Sequence, residues 1–405
     1  MSAASEPGGS EGSTRAVVVD DSRFMRTLIR SLLEEGGVEV VGEAADGSDA
    51  LDAVVEHDPD VVTMDIEMPS MNGLEAVEAI MADHPTPVLM LSAHAEEDAD
   101  VTFEALERGA VDFVTKPGGE VTSSMPRVKR ELVEKVESAA RVDLSADVRA
   151  TGRSSSGRGG AGSAGGGAAT AGSTSGEASS DPTAAGGASG LGRSDSRSST
   201  GAASASGSAS SYPDVGTLVV GASTGGPAVV ERVLGGLPTD ANLRVLVVQH
   251  MPEGFTTRFA DRLDGRSSYT VTEATSGERI GPGEARVAPG GHHLLTTSDR
   301  SGRLELELTE SEPIHGVRPA IDVTMAAAAE TVDGPLCAVL LTGMGRDGVD
   351  GLQRVAGSGG HTVAQDEETS AIFGMPRRAI EADCVDDVAP AGEIAENALQ
   401  YFAEE

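Results

Sequence analysis

The sequence predicts an α/β protein built from two doubly wound parallel-sheet domains, and three observations predict it. Short apolar, β-branched runs alternate along most of the chain with segments whose apolar residues recur at helical spacing. Several of these runs are apolar at every position, the pattern of parallel strands buried on both faces. The alternation stops once, across a stretch of Gly, Ala, Ser and Thr that cannot build a core.

Taken in order, residues 1–14 are rich in Ser, Gly and Glu without periodicity and are expected to form a disordered tail. Residues 15–141 contain five apolar runs, beginning at Ala16, Val38, Asp60, Pro87 and Val111. Amphipathic stretches such as Phe24-Met25, Leu28-Ile29 and Leu32-Leu33 separate them. Five β/α units of this kind make a five-stranded, flavodoxin-like domain. Residues 142–213 form the Gly/Ala/Ser-rich linker. A flexible coil of ~60 residues spans ~40–45 Å, so this segment is expected to tether its flanking domains without fixing them. Across 214–405 the alternation resumes, with buried-strand runs at Thr217–Val220, Arg244–Val248 and Leu336–Leu341. Between Ser267 and Leu308, Gly/Pro punctuation and the alternating run from Arg303 to Leu308 predict a small antiparallel excursion.

Composition narrows the partners. The chain carries 65 Asp and Glu against 30 Lys and Arg, a formal net charge of -35, so nucleic acid would be repelled. Lysine is confined to Lys116, Lys129 and Lys135, and tryptophan is absent. Such a surface predicts a halophilic protein whose self-repulsion is screened by concentrated salt. No apolar run approaches the ~18–20 residues needed to span a bilayer, and the N-terminus lacks a signal pattern, so a cytoplasmic protein without membrane insertion is expected. Cys337 and Cys384 have neither metal-ligand nor disulfide-framework spacing.

In the first domain, Asp20 and Asp21 end the first strand, Asp65 the third, Ser92 the fourth and Lys116 the fifth. Carboxyl ends of parallel strands converge, so these groups share one pocket. Clustered carboxylates call for a hard divalent cation, and Mg²⁺ suits an all-oxygen site with phosphate as a further ligand. The alternative is that Asp20 and Asp21 cap the following helix and Lys116 merely pairs with one carboxylate. The segment resembles the response-regulator receiver family, down to Met64-Asp65-Ile66-Glu67-Met68-Pro69 and Met71-Asn72-Gly73. That resemblance implies Asp65 as phosphoacceptor, Asp20, Asp21 and Asp65 as Mg²⁺ ligands, and Ser92, Phe113 and Lys116 as the switch residues.

In the second domain, Gly221-Ala-Ser223-Thr-Gly225 fits a sharp strand-to-helix turn that presents a serine hydroxyl. A serine there can equally be an N-cap. His250 ends the next strand and can take a proton from a serine, because imidazole titrates near neutrality. Asp347 can orient that imidazole, or else sit as a turn aspartate before Gly348. Backbone N–H groups near Thr224 and Met344 lie in glycine-rich turns where they can meet an oxyanion. His292-His293, in a Pro/Gly loop, is a weaker metal candidate. The order Ser, His, Asp differs from the Ser, Asp, His of the α/β-hydrolase fold.

With these residues in hand, the segment from Val215 to Phe402 closely resembles the chemotaxis protein-glutamate methylesterase and protein-glutamine glutaminase family. The matches are Gly221–Pro227, Gln249–Pro252, Ala288–Leu294, Arg318–Val323, Thr342–Gly348 and Phe373–Pro376. The resemblance implies Ser223 as nucleophile, His250 as general base, Asp347 as its orienter, and Thr224 and Met344 at the oxyanion hole. It also implies methyl-accepting chemoreceptors as substrate, a chemotaxis histidine kinase as phosphodonor, and no cofactor for ester hydrolysis.

Overall fold

The computed structural model describes residues 13–92, 99–116, 125–142 and 215–404. The tail expected at 1–14 and the linker expected at 142–213 lie almost entirely outside these residues.

In the first domain strands β1 (Arg15–Val19), β2 (Glu39–Ala44), β3 (Val61–Asp65), β4 (Val88–Ser92) and β5 (Asp112–Thr115) alternate with helices α1 (Arg23–Glu35), α2 (Gly47–His57), α3 (Gly73–Asp83), α4 (Ala99–Glu107) and α5 (Met125–Ala139). The strands form one parallel sheet in the order β2-β1-β3-β4-β5. Sequence sets the helix starts: Asp46 and Asn72 accept from Asp49 N and Glu75 N, and Glu75 closes a capping box back onto Asn72. Ser22 rather than Asp20 or Asp21 caps α1, which leaves both carboxylates to the strand end. β3 and β4 are buried throughout, Thr63 and Asp65 of β3 and Ser92 of β4 included, as strands covered on both faces of a parallel sheet are.

The second domain runs β6 (Gly216–Ala222), α6 (Gly226–Gly235), β7 (Leu243–Gln249), α7 (Phe255–Arg266), β8 (Thr270–Glu273), β9 (Arg279–Ile280), β10 (Glu284–Val287), β11 (His293–Arg300) and β12 (Arg303–Thr309). It continues through α8 (Ile321–Thr331), β13 (Leu336–Leu340), α9 (Val349–Gly357), β14 (His361–Gln365), α10 (Met375–Glu381), β15 (Asp387–Ala389) and α11 (Ile394–Glu404). Seven strands form a parallel sheet in the order β15-β14-β13-β6-β7-β10-β8. The expected excursion is the separate antiparallel sheet β11-β12-β9. β6, β7 and β13 are buried along their full length and are adjacent at the sheet centre. The residues that follow them therefore meet at one edge, where ligands of such sheets bind.

Both cysteines are buried and free. Among the described residues no helix is long and apolar enough to cross a membrane.

Candidate functional site

Ser223 follows β6 at a turn that Gly225 makes possible, because its φ of 74° is one that side-chain-bearing residues rarely adopt. The turn is locked from several sides. Ser223 N donates to Thr342 O at 3.0 Å, Gly226 N donates to Ser223 O at 2.8 Å, and Gln249 Nε2 donates to the same Ser223 carbonyl at 2.8 Å. Gly343 is needed for a different reason: a Cβ there would lie 2.6 Å from Ser223 Cβ.

His250 follows β7, and its Nε2 lies 2.8 Å from Asp347 Oδ2. Asp347 is 2 % exposed and is held at the start of α8, where Ile321 N donates to Oδ2 at 2.7 Å and Asp322 N to Oδ1 at 3.0 Å. Burial alone would raise its pKa, but the hydrogen bond and charge of His250, with those two N–H groups, hold it below the ordinary carboxylate value. Asp347 is therefore an anion fixed against one imidazole nitrogen. Nδ1 is left as the nitrogen that can serve a neighbouring hydroxyl. Among the described residues no hydrogen bond joins Ser223 Oγ to the ring, and such contacts often close only with substrate in place. The backbone N–H groups of Thr224 and Met344 likewise donate to no protein acceptor among the described residues. Ser223, Thr224, His250 and Met344 line one cleft of about 620 Å³.

Behind Asp347 stands a second pair. Asp322 accepts from Gly348 N and Gly351 N and pairs with His315 Nε2 at 2.9 Å. Burial, followed by the Asp347 charge, pushes the Asp322 pKa up. His315 was not singled out by sequence: its residue type gave no sign that the chain would turn it into the cleft, which it does at φ 53°. His293 is fully buried, accepts from Ala320 N through Nδ1 at 3.1 Å and is paired to Glu312 O through Nε2. Burial lowers its pKa, and its role is structural. His292 pairs with Glu310 at 3.3 Å, an acidic partner distant along the chain.

The acidic pocket assembles as the strand ends predict. The Asp20, Asp21 and Asp65 oxygens lie within 4.8 Å of one another. Lys116 Nζ reaches both Asp20 Oδ2, at 2.9 Å, and Asp65 Oδ1, at 2.7 Å, so it pairs with two carboxylates. Burial raises the Asp65 pKa against the pull of Lys116, with the Asp20 charge adding to it. The Lys116 ammonium is desolvated, yet its two carboxylate partners raise its pKa. This hard, anionic oxygen set fits a divalent cation. Ser92 is fully buried at the end of β4. Phe113, in β5, packs its ring on Phe255 of α7.

The cleft beside Ser223 also has a wall that sequence did not foretell. Val128, Arg130, Glu131, Glu134 and Lys135 of α5 line it. Glu107 at the end of α4 pairs with Arg262 and Arg266 of α7, and Phe103 stacks on Phe259.

An acidic pocket of Asp20, Asp21 and Asp65 joined to a sheet that gathers serine, histidine and aspartate at three adjacent strand ends defines a response regulator with a hydrolase output domain. Residues 16–122 match the response regulator receiver domain, and residues 218–398 match the CheB methylesterase. The chain belongs to the protein-glutamate methylesterase/protein-glutamine glutaminase family. The Haloarcula marismortui protein of that name is 54% identical over 96% of this chain and 98% of its own length. Its Natronomonas pharaonis counterpart is 53% identical over 96% and 98%. The crystal structure of the Thermotoga maritima CheB methylesterase catalytic domain covers 45% of this chain and 97% of its own, at 42% identity and a TM-score of 0.44.

Proposed function

We propose that this enzyme hydrolyses glutamate methyl esters on the cytoplasmic helices of chemoreceptors, releasing methanol, and deamidates glutamines on the same helices. Ser223, His250 and Asp347 are its triad, and phosphorylation of Asp65 controls it. The reading rests above all on the 2.8 Å pairing of His250 with the buried Asp347 carboxylate, beside a serine on the neighbouring strand end.

In the first half-reaction His250 Nδ1 takes the Ser223 proton as Oγ adds to the ester carbonyl. The Thr224 and Met344 N–H groups receive the oxyanion. Collapse expels methanol, which carries away the proton held on His250, and leaves a glutamyl ester on Ser223. Water then attacks with His250 again as base, freeing the glutamate. Asp347 stays ionised throughout, holding the ring's orientation and stabilising the imidazolium. A glutamine follows the same course with ammonia as the leaving group.

In the first domain Asp20, Asp21 and Asp65 would hold Mg²⁺, which when bound neutralises the charge gathered around a transferred phosphoryl group. Asp65 accepts that group from a histidine kinase, and Lys116 follows the change of charge. Thr115 joins Lys116 to β5, whose Phe113 packs on α7. Through this link, phosphorylation draws the receiver from the cleft that α5 walls.

A serine-directed phosphonate tests the hydrolase reading. It should label the wild type and lose its label in Ser223→Ala and in His250→Ala; equal labelling of Ser223→Ala would overturn the assignment of the nucleophile.

A further inference from the structure

The α5 wall has a chemical character of its own. Leu132, Val136 and Ala139 pack into the receiver core, so α5 turns its opposite face outward. Glu131 and Glu134 stand on that outward side, three residues apart and therefore on one helix face. Both line the cleft that holds Ser223 and His250. The helix is in close reach of the loop opposite: a Cβ on Gly316 would lie 3.7 Å from Arg130 Nη2. His315, Arg318 and the acid Glu253 line the same cleft.

An enzyme that acts on glutamyl side chains of helices thus faces, in its own chain, a helix that presents two glutamates. Free glutamate on a helix is also the product of its reaction. We propose that α5 is a product-mimicking pseudosubstrate, with Glu131 or Glu134 in the subsite of the substrate's glutamyl side chain. The unphosphorylated receiver then competes with the receptor helix for that subsite and does more than obstruct access. This inference rests on the proposed methylesterase and glutaminase activity.

The test is to turn the mimic into a substrate. In full-length Glu131→Gln and Glu134→Gln variants the new side chain is an amide. If it occupies the glutamyl subsite, Ser223 attacks its carbonyl, ammonia leaves, and water regenerates a glutamate. One amide nitrogen is exchanged for one oxygen, and peptide mass spectrometry reads the change at the substituted position. The expected result is conversion at one of the two positions, lost when Ser223→Ala is added. Acetyl phosphate with Mg²⁺ should slow this self-conversion while it speeds methanol release from methylated receptor membranes, each by the ~5–150-fold of ordinary allosteric couplings. Opposite responses to one phosphodonor distinguish occupation of the subsite from simple cover. Persistence of both glutamines in chains that release methanol through Ser223 would overturn the inference and leave the activity standing. Absence of Ser223-dependent methanol release under every condition would remove both.

Discussion

Phe113 of the receiver and Phe255 of the catalytic domain stack with ring centroids 4.4 Å apart and planes inclined by 29°. Lys116, which spans Asp20 and Asp65, lies three residues along the chain from Phe113. The acidic pocket proposed as the phosphorylation site and the domain contact are thus ends of one short segment, and a change of charge at Asp65 has a direct mechanical route to α7.

Weakening that contact should free the cleft without phosphate. Phe255→Leu keeps an apolar side chain but removes an aromatic pair worth about 0.5–1.5 kcal/mol. The activity of unphosphorylated enzyme should rise by about two- to twelvefold, with the phosphorylated rate unchanged. Steady-state rates with and without acetyl phosphate check this, and an equal fall in both rates would point instead to damage within the catalytic domain.

The ion pairs beside it should behave as partly exposed ones do. Glu107 joins Arg262 and Arg266, and Glu231 joins the same two arginines. With side chains 18 % to 48 % exposed at Arg262, Glu107 and Arg266, about 0.2–1 kcal/mol is expected per pair. Glu107→Gln removes two such pairs, about 0.4–2 kcal/mol together, so it should raise basal activity by no more than about thirtyfold, and the difference from wild type should shrink as salt is added.

Asp347→Asn should lower kcat by a factor on the order of 10⁴, as loss of a triad aspartate does, because an amide cannot hold the imidazole in the required tautomer. Stability adds a second readout. The folded-state pKa of Asp347 is depressed by His250 and two backbone N–H groups despite burial. Its contribution is therefore fully present above the unfolded carboxylate pKa of about 3.9 and is lost as pH falls through the lower, folded value. Chemical denaturation of wild type and Asp347→Asn across this acid range should converge below it.

Gly343→Ala tests the close approach at Ser223, the proposed nucleophile. The new methyl would sit 2.6 Å from Ser223 Cβ, so the serine or the Thr342–Met344 loop must move. A displacement of this kind costs on the order of 10² in rate, measurable as kcat with circular dichroism confirming the fold.

Much of this was legible in the sequence because strand ends are legible. Unbroken apolar runs mark parallel strands, and the residues just after them mark the ligand-binding edge; Ser223, His250, Asp65 and Lys116 all lie there. The β13-β6-β7 adjacency that unites the second set is a tertiary fact, but a parallel sheet admits few other ways to bury three such runs. What stayed hidden depended on side-chain partners distant along the chain. Gln249 donating to the Ser223 carbonyl and His315 turning to Asp322 carry no periodic signal. The α5 wall was hidden for a stronger reason: an amphipathic helix announces its buried face, Leu132 and Val136, while its polar face reads as solvated whether water or another domain covers it.

The function proposed for this chain is that of a Ser223 hydrolase gated through Asp65. Methanol release from methylated receptor membranes in high salt tests it, comparing wild type, Ser223→Ala and Asp65→Asn with and without acetyl phosphate and Mg²⁺. Release should need Ser223, rise with phosphodonor in wild type and ignore it in Asp65→Asn. Release that persists in Ser223→Ala, or stimulation that survives in Asp65→Asn, would contradict it.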